Sequence, residues 1–217
     1  MNYISNNQEI IDAIIDFYQY KKSALEVADI YFKYNLYSAA ATYYNIHLQS
    51  IRNNDNILKY NEVKSYCFSQ MAASYYYQEL DHNYSIWQLE MIQDLCKESI
   101  IYNPQNVQTH FILGQVYFFL RRDKDAYYSY KSMVMSLDYN KILSPRLYED
   151  IFNAILLMFE LCKNNQIIIT NNVIKKIYDF LINSKYYTFD NISLITQKVK
   201  EHLTKEEIEI NIMNGNF

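Results

Sequence analysis

A small residue followed by tyrosine three positions on, alanine twelve on and tyrosine sixteen on occurs twice in this chain, as Ala28, Tyr31, Ala40, Tyr44 and as Gly114, Tyr117, Ala126, Tyr130. A spacing of three or four keeps side chains on one face of an α-helix, and the jump to the alanine spans a turn. The unit therefore reads as two antiparallel helices with small residues at their contact, and unrelated helices would rarely agree at four such positions. Ala72 and Tyr75 repeat the first half of the pattern.

The composition agrees with an all-α reading. Only Gly114 and Gly215, and only Pro104 and Pro145, occur in 217 residues, whereas β-hairpins, Rossmann turns and phosphate loops need glycine at special backbone angles. Half the residues are hydrophobic, enough for a sizeable core and too many for a disordered chain. No apolar run reaches the roughly 20 residues of a membrane span, and the N-terminal stretch lacks the basic-then-apolar order of a signal peptide, so a soluble, cytoplasmic protein is expected. Cys67, Cys96 and Cys162 are widely spaced, with no CxxC pair, and are expected to be reduced packing thiols. A net charge of −4 and short basic pairs at Lys21–Lys22, Arg121–Arg122 and Lys175–Lys176 disfavour a nucleic-acid partner. No cofactor is expected.

Periodicity and breakers divide the chain into a single helical-repeat domain over 1–217: an N-terminal helix at 5–22, repeat 1 at 23–51, repeat 2 at 57–104, repeat 3 at 105–140, a degenerate repeat 4 at 144–185, and a capping helix and tail at 190–217. Ser5 to Gln8, Ser23 to Glu26 and Thr204 to Glu207 have capping-box spacing. Asn35 and the Lys163-Asn164-Asn165 run suit helix ends, Asn103-Pro104 ends another, and Ser144-Pro145 opens one. Arg52 to Asn56 and Asp81-His82-Asn83 read as breaks, Asp190 as a cap, and the β-branched Gln166–Thr170 leaves room for a short extended piece.

Val27-Ala28-Asp29-Ile30-Tyr31-Phe32, Leu113-Gly114-Gln115-Val116-Tyr117-Phe118 and the stretch from Tyr37 to Tyr44 resemble the tetratricopeptide repeat, with Met71-Ala72, Tyr75 and the closing Pro104 as a third partial match. The likeness covers roughly residues 21 to 140 and implies a right-handed α-solenoid of about four irregular helical hairpins that binds proteins rather than catalysing. Small residues recur at 28, 72 and 114, intervals of 44 and 42 residues, against about 34 in the family. Leu25 and Asp29, Ser69 and Ala73, Phe111 and Gln115 occupy the positions where one branch of the family clamps a carboxylate with lysine and asparagine, so that chaperone-tail clamp looks absent. A weaker similarity, over Tyr31 to Tyr44 and Asp55 to Tyr60, is to helical repeats appended to glycosyltransferases.

The resemblance further implies that residues one turn beyond each tyrosine face the concave side: Phe32 and Lys33, Tyr76 and Tyr77, Phe118 and Phe119. These would line a groove for a peptide or protein, or, if the long connections fold over them, become core. Asp123-Lys124-Asp125 has the spacing of a sugar-nucleotide transferase's metal pair, yet sits where acids cap a helix. His47, His82, His110 and His202 show no paired metal-ligand spacing, and no catalytic or metal residue is assigned. Trp87 suits either an interface anchor or packing. The expected function is a non-catalytic adaptor. An accessory domain of a glycan-modifying system and a homo-oligomer assembled through its terminal helices are the alternatives.

Overall fold

The computed structural model describes residues 2–51, 57–79 and 83–202, and every regular element among them is an α-helix. In order these are α1 (Asn2–Tyr18), α2 (Ala24–Lys33), α3 (Tyr37–Ser50), α4 (Ile57–Gln78), α5 (Ile86–Tyr102), α6 (Val107–Phe119), α7 (Asp123–Met135), α8 (Pro145–Asn165), α9 (Asn171–Asn183) and α10 (Phe189–His202). They form four helical hairpins, α2/α3, α4/α5, α6/α7 and α8/α9, so the fold is all-α. The chain divides into two compact units, one up to Ile112 and one from Leu113, the division falling within α6.

Local chemistry explains the helix limits. Ser23 caps α2 with both arms of a capping box: its hydroxyl accepts from the Glu26 N–H at 3.3 Å, and its own N–H donates to the Glu26 carboxylate at 2.8 Å. Ser85 and Gln88 do the same for α5. Ser144 caps α8 ahead of Pro145, whose missing N–H costs nothing there. Before Pro104, Asn103 turns to an extended conformation and α5 stops. Among the described residues, five helix ends use a left-handed residue that is not glycine: Tyr20, Asn35, Arg121, Gln166 and Lys185. At Asn35 and Arg121 the same pair of bonds closes the hairpin turn: Leu36 N–H to the Tyr31 carbonyl at 2.9 Å with Asn35 N–H to the Phe32 carbonyl at 3.0 Å, and Arg122 N–H to the Tyr117 carbonyl at 2.8 Å with Arg121 N–H to the Phe118 carbonyl at 3.0 Å.

Some boundaries differ from the sequence expectation. Ser5 to Gln8 lie inside α1, whose backbone is already helical from Asn2, and so do not cap it. Thr188, not Asp190, caps α10: Asn191 Oδ1 accepts from the Thr188 N–H at 2.9 Å, and Asp190 falls in the first turn, where a negative charge favours the helix dipole. Gln166–Thr170 forms no strand. The expected breaks at 52–56 and at Asp81 and His82, the capping box at Thr204 and the tail beyond it lie outside the described residues.

In the first unit α2 packs on α1 and α3, and α4 on α3 and α5. Ala28 and Ala40, both fully buried, let α2 and α3 approach, with Tyr44 and Cys67 completing the core and Tyr31 stacked on Tyr43 at 5.4 Å. Tyr44 and Tyr66 both donate to Asp29 Oδ1, at 2.6 and 2.7 Å, tying α2, α3 and α4 together. Between α4, α5 and the start of α6 lies a buried hydroxyl network. Ser99 gives its single proton to the Ser65 carbonyl at 2.9 Å, so its oxygen is left to accept from the hydroxyls of Ser65 at 3.0 Å and Thr109 at 2.9 Å.

In the second unit α7 packs on α8 and α9, and α10 closes against α8 and α9. Gly114, on α6, lies under the ring of Tyr130, on α7, so tightly that a Cβ there would come within 2.3 Å of Cε1. Arg122 covers the ring of Tyr117, 4.5 Å from its centroid. Ile151, Ile155, Met158, Ile177 and Ile195 form the centre of this unit's core.

Candidate functional site

Six rings around the end of the first hairpin form one connected aromatic cluster in the first unit. Phe32, on α2, meets Tyr37 at the start of α3 at 5.3 Å and Tyr77 near the end of α4 at 6.4 Å. Tyr77 continues to Tyr76 at 5.1 Å, and Tyr76 to Tyr84 at 6.0 Å and Phe111 at 5.8 Å. Most of these contacts are edge-to-face, the arrangement that the ring quadrupole favours. The cluster joins the residue after Tyr31 on α2 to those after Tyr75 on α4 through the Phe32–Tyr77 contact.

The sequence-expected groove residues separate into distinct environments. Tyr76 and Tyr77 are only 6% and 7% exposed, and Tyr84, just ahead of α5, stacks on Tyr76 and donates its hydroxyl to the Tyr76 carbonyl. Phe32 is half-buried beside them. Lys33 is turned toward α1, where it pairs with Glu9 at 2.8 Å, and this ammonium, with the Tyr34 hydroxyl, holds the Glu9 carboxyl below its usual range. Phe118 and Phe119 belong to the second unit, half-buried, with centroids 6.0 Å apart. Thus Phe32, Tyr76 and Tyr77 share one cluster.

One edge of that cluster is open. Asn35, Leu36, Tyr37, Ser38, Ala39, Tyr77 and Gln78 line a cleft of about 450 Å³ at the α2/α3 turn and the end of α4. Leu36, held in place by the left-handed Asn35, is 43% exposed at its rim. The Tyr37 hydroxyl donates to the Asn35 carboxamide at 2.7 Å, which fixes the ring that forms the floor. Of the groove residues expected from sequence, Tyr77 lines this cleft and Phe32 does not; Leu36 and Tyr37 were passed over because they belong to a turn and the first position of a helix, where facial periodicity has no meaning.

The reactive side chains occupy packed or paired positions. All three cysteines are buried, and burial pushes the Cys67 and Cys162 thiols up to about 12 and raises Cys96 as well, so each is held as the unreactive thiol. His110 is buried with Nε2 2.7 Å from the Pro104 carbonyl, and His47 is half-buried; desolvation lowers the pKa of both. His202 packs its ring on Phe159. Asp125 is engaged by Arg122 at 2.7 Å and Asp123 accepts from Asn165 at 3.3 Å, so the Asp-x-Asp pair fastens the start of α7. Among the described residues there is no group of three potential metal ligands, and no helix is long and apolar enough to cross a membrane. Trp87 is 69% exposed at the start of α5, beside the equally exposed Ile86.

No protein-family model matches this chain, and no curated protein sequence matches it significantly. Among solved structures it is similar to a thermophilic TPR protein of Thermus thermophilus, with 14% identity, a TM-score of 0.39, and coverage of 81% of this chain and 97% of that one.

Proposed function

We propose that this protein is a non-catalytic interaction scaffold whose partner, a peptide or protein segment with an apolar side chain, docks on the aromatic face of the first unit. The observation that carries the reading is the cleft in which Tyr37 and Tyr77 form an apolar floor and Leu36 an exposed rim. Rings already locked by edge-to-face packing on Phe32 and by the Tyr37–Asn35 bond present contact area without an ordering cost on binding. Phe32 and Tyr76 support this face from behind, and Phe118 and Phe119 offer an equivalent pair in the second unit.

The experiment is affinity capture from the native extract with the unaltered protein and with Leu36→Glu. A charge at this exposed rim is expected to abolish capture of a specific protein while the melting temperature stays within a few degrees. Equal capture by both proteins would refute the assignment of the cleft. Identification of a sugar-transferring enzyme as the captured protein would support the accessory-domain reading.

Self-assembly is favoured by one separate feature. Ile11, Ile15 and Tyr18 lie at helical spacing on α1 and are all exposed, leaving an apolar stripe on a terminal helix. Light scattering after size exclusion tests it: a dimer converted to monomer by Ile15→Glu supports assembly through α1, and a monomer at all concentrations refutes it.

A further inference from the structure

The connection between α9 and α10 folds back on the start of α8 and builds a second concave site, wholly within the second unit. Tyr186 and Tyr187 are both anchored through their hydroxyls, Tyr186 donating to the Pro145 carbonyl at 3.2 Å and Tyr187 to the Tyr148 carbonyl at 2.8 Å. The Tyr186 ring lies flat on Tyr148, with centroids 4.4 Å apart and planes 11° from parallel. Tyr187 sets its edge to Tyr148 and leans on Phe152 at 5.8 Å. The two tyrosine rings meet at 84°, so they form a fixed corner.

With Glu149, Phe152, Asn153 and Asn191, this corner lines a depression of about 300 Å³. Glu149 is the only charged residue in the lining, and its carboxylate has no ion pair or hydrogen bond among the described residues; the Asn153 carboxamide, one turn on, has none either. Asn191 spends its carboxamide oxygen on the Thr188 cap, which leaves its NH₂ as a donor at the rim. The site therefore offers a rigid aromatic wall, an unpaired carboxylate, an amide acceptor and an amide donor.

We propose that this corner receives an arginine side chain of a partner polypeptide, its guanidinium stacked on the tyrosine wall and forked onto Glu149. A planar, weakly hydrated cation both stacks on aromatic faces and pairs bidentately with a carboxylate, which a compact, strongly hydrated ammonium does less well. The Asn191 NH₂ suits a backbone carbonyl of the segment carrying the arginine. This site is separate from the cleft of the first unit, and neither depends on the other.

The test is titration of the whole protein with N-acetyl-L-arginine amide, its lysine counterpart and the neutral isostere N-acetyl-L-citrulline amide, following the ring resonances of Tyr186 and Tyr187 by NMR. Saturable shifts are expected with the arginine probe, with binding at least about fivefold weaker for the lysine and citrulline probes. Glu149→Gln, a substitution at an exposed position, should weaken arginine binding by a similar factor and leave the melting temperature unchanged. Equal affinity for citrulline or lysine, an undiminished Glu149→Gln, or no saturable shift with arginine would each overturn the proposal.

Discussion

Gly114 and Tyr130 provide a quantitative test of the hairpin packing. A methyl group at 114 would lie 2.3, 2.5 and 2.9 Å from three carbons of the Tyr130 ring, well inside van der Waals contact, and that ring is fully buried with no solvent side to swing into. Gly114→Ala gains up to about 1 kcal/mol of helix propensity, but displacing a core ring costs about 1–3 kcal/mol. The net expectation is destabilisation of up to about 2 kcal/mol, and more for Gly114→Leu. Shortening the obstacle reverses the sign: in a Tyr130→Leu background, itself destabilised by the lost ring, Gly114→Ala should be neutral or stabilising. A double-mutant cycle by urea unfolding should therefore return a coupling of about 1–3 kcal/mol, within the range for residues in contact. A higher melting temperature for Gly114→Ala alone, or a coupling near zero, would refute the close approach. The outcome is not trivial, because the corresponding position of the first hairpin, Ala28, carries that methyl group and is fully buried.

Three further outcomes follow from the packing. Glycine at the left-handed helix ends Tyr20 and Arg121 should relieve a backbone cost of about 1–2 kcal/mol against an entropic penalty of about 0.5–1, raising the melting temperature by a few degrees at most. Asn35→Gly should gain least, since asparagine tolerates that conformation, and an equal gain there would contradict the argument. Ser99→Ala removes the one group to which both Ser65 and Thr109 hydroxyls point and should cost about 1–3 kcal/mol in chemical denaturation; a neutral result would mean the network is not formed. His110 and His47 have lowered pKa values through burial, so the unfolded chain binds more protons than the folded one below the ordinary histidine value. Stability should therefore fall as pH drops from about 7 toward 5, and His110→Phe should flatten that slope in melting curves; an unchanged slope would count against burial of the ring.

Much of the fold is legible in the sequence because it rests on local rules. The shared spacing around Ala28 and Gly114 marks real helix contacts, and Ser23, Asn35, Asn103-Pro104 and Ser144-Pro145 act where their chemistry places them. Ser5 misleads because a capping-box spacing says nothing about whether helix already precedes it. Thr188 escapes because its partner is asparagine rather than the glutamate or glutamine of the usual box. The sites are less legible. Whether Tyr76 faces solvent depends on Tyr84, outside any periodic segment, stacking on it, and the Tyr186–Tyr187 corner depends on a loop docking onto a helix start about forty residues earlier in the chain.

Hydrogen–deuterium exchange of the protein with and without its captured partner tests the central claim most directly. The aromatic-cleft account predicts new protection concentrated at residues 32–39 and 75–78, the stretches that carry Phe32, Leu36, Tyr37 and Tyr77. Protection confined to the exposed stripe of α1, or to the second unit alone, would contradict it.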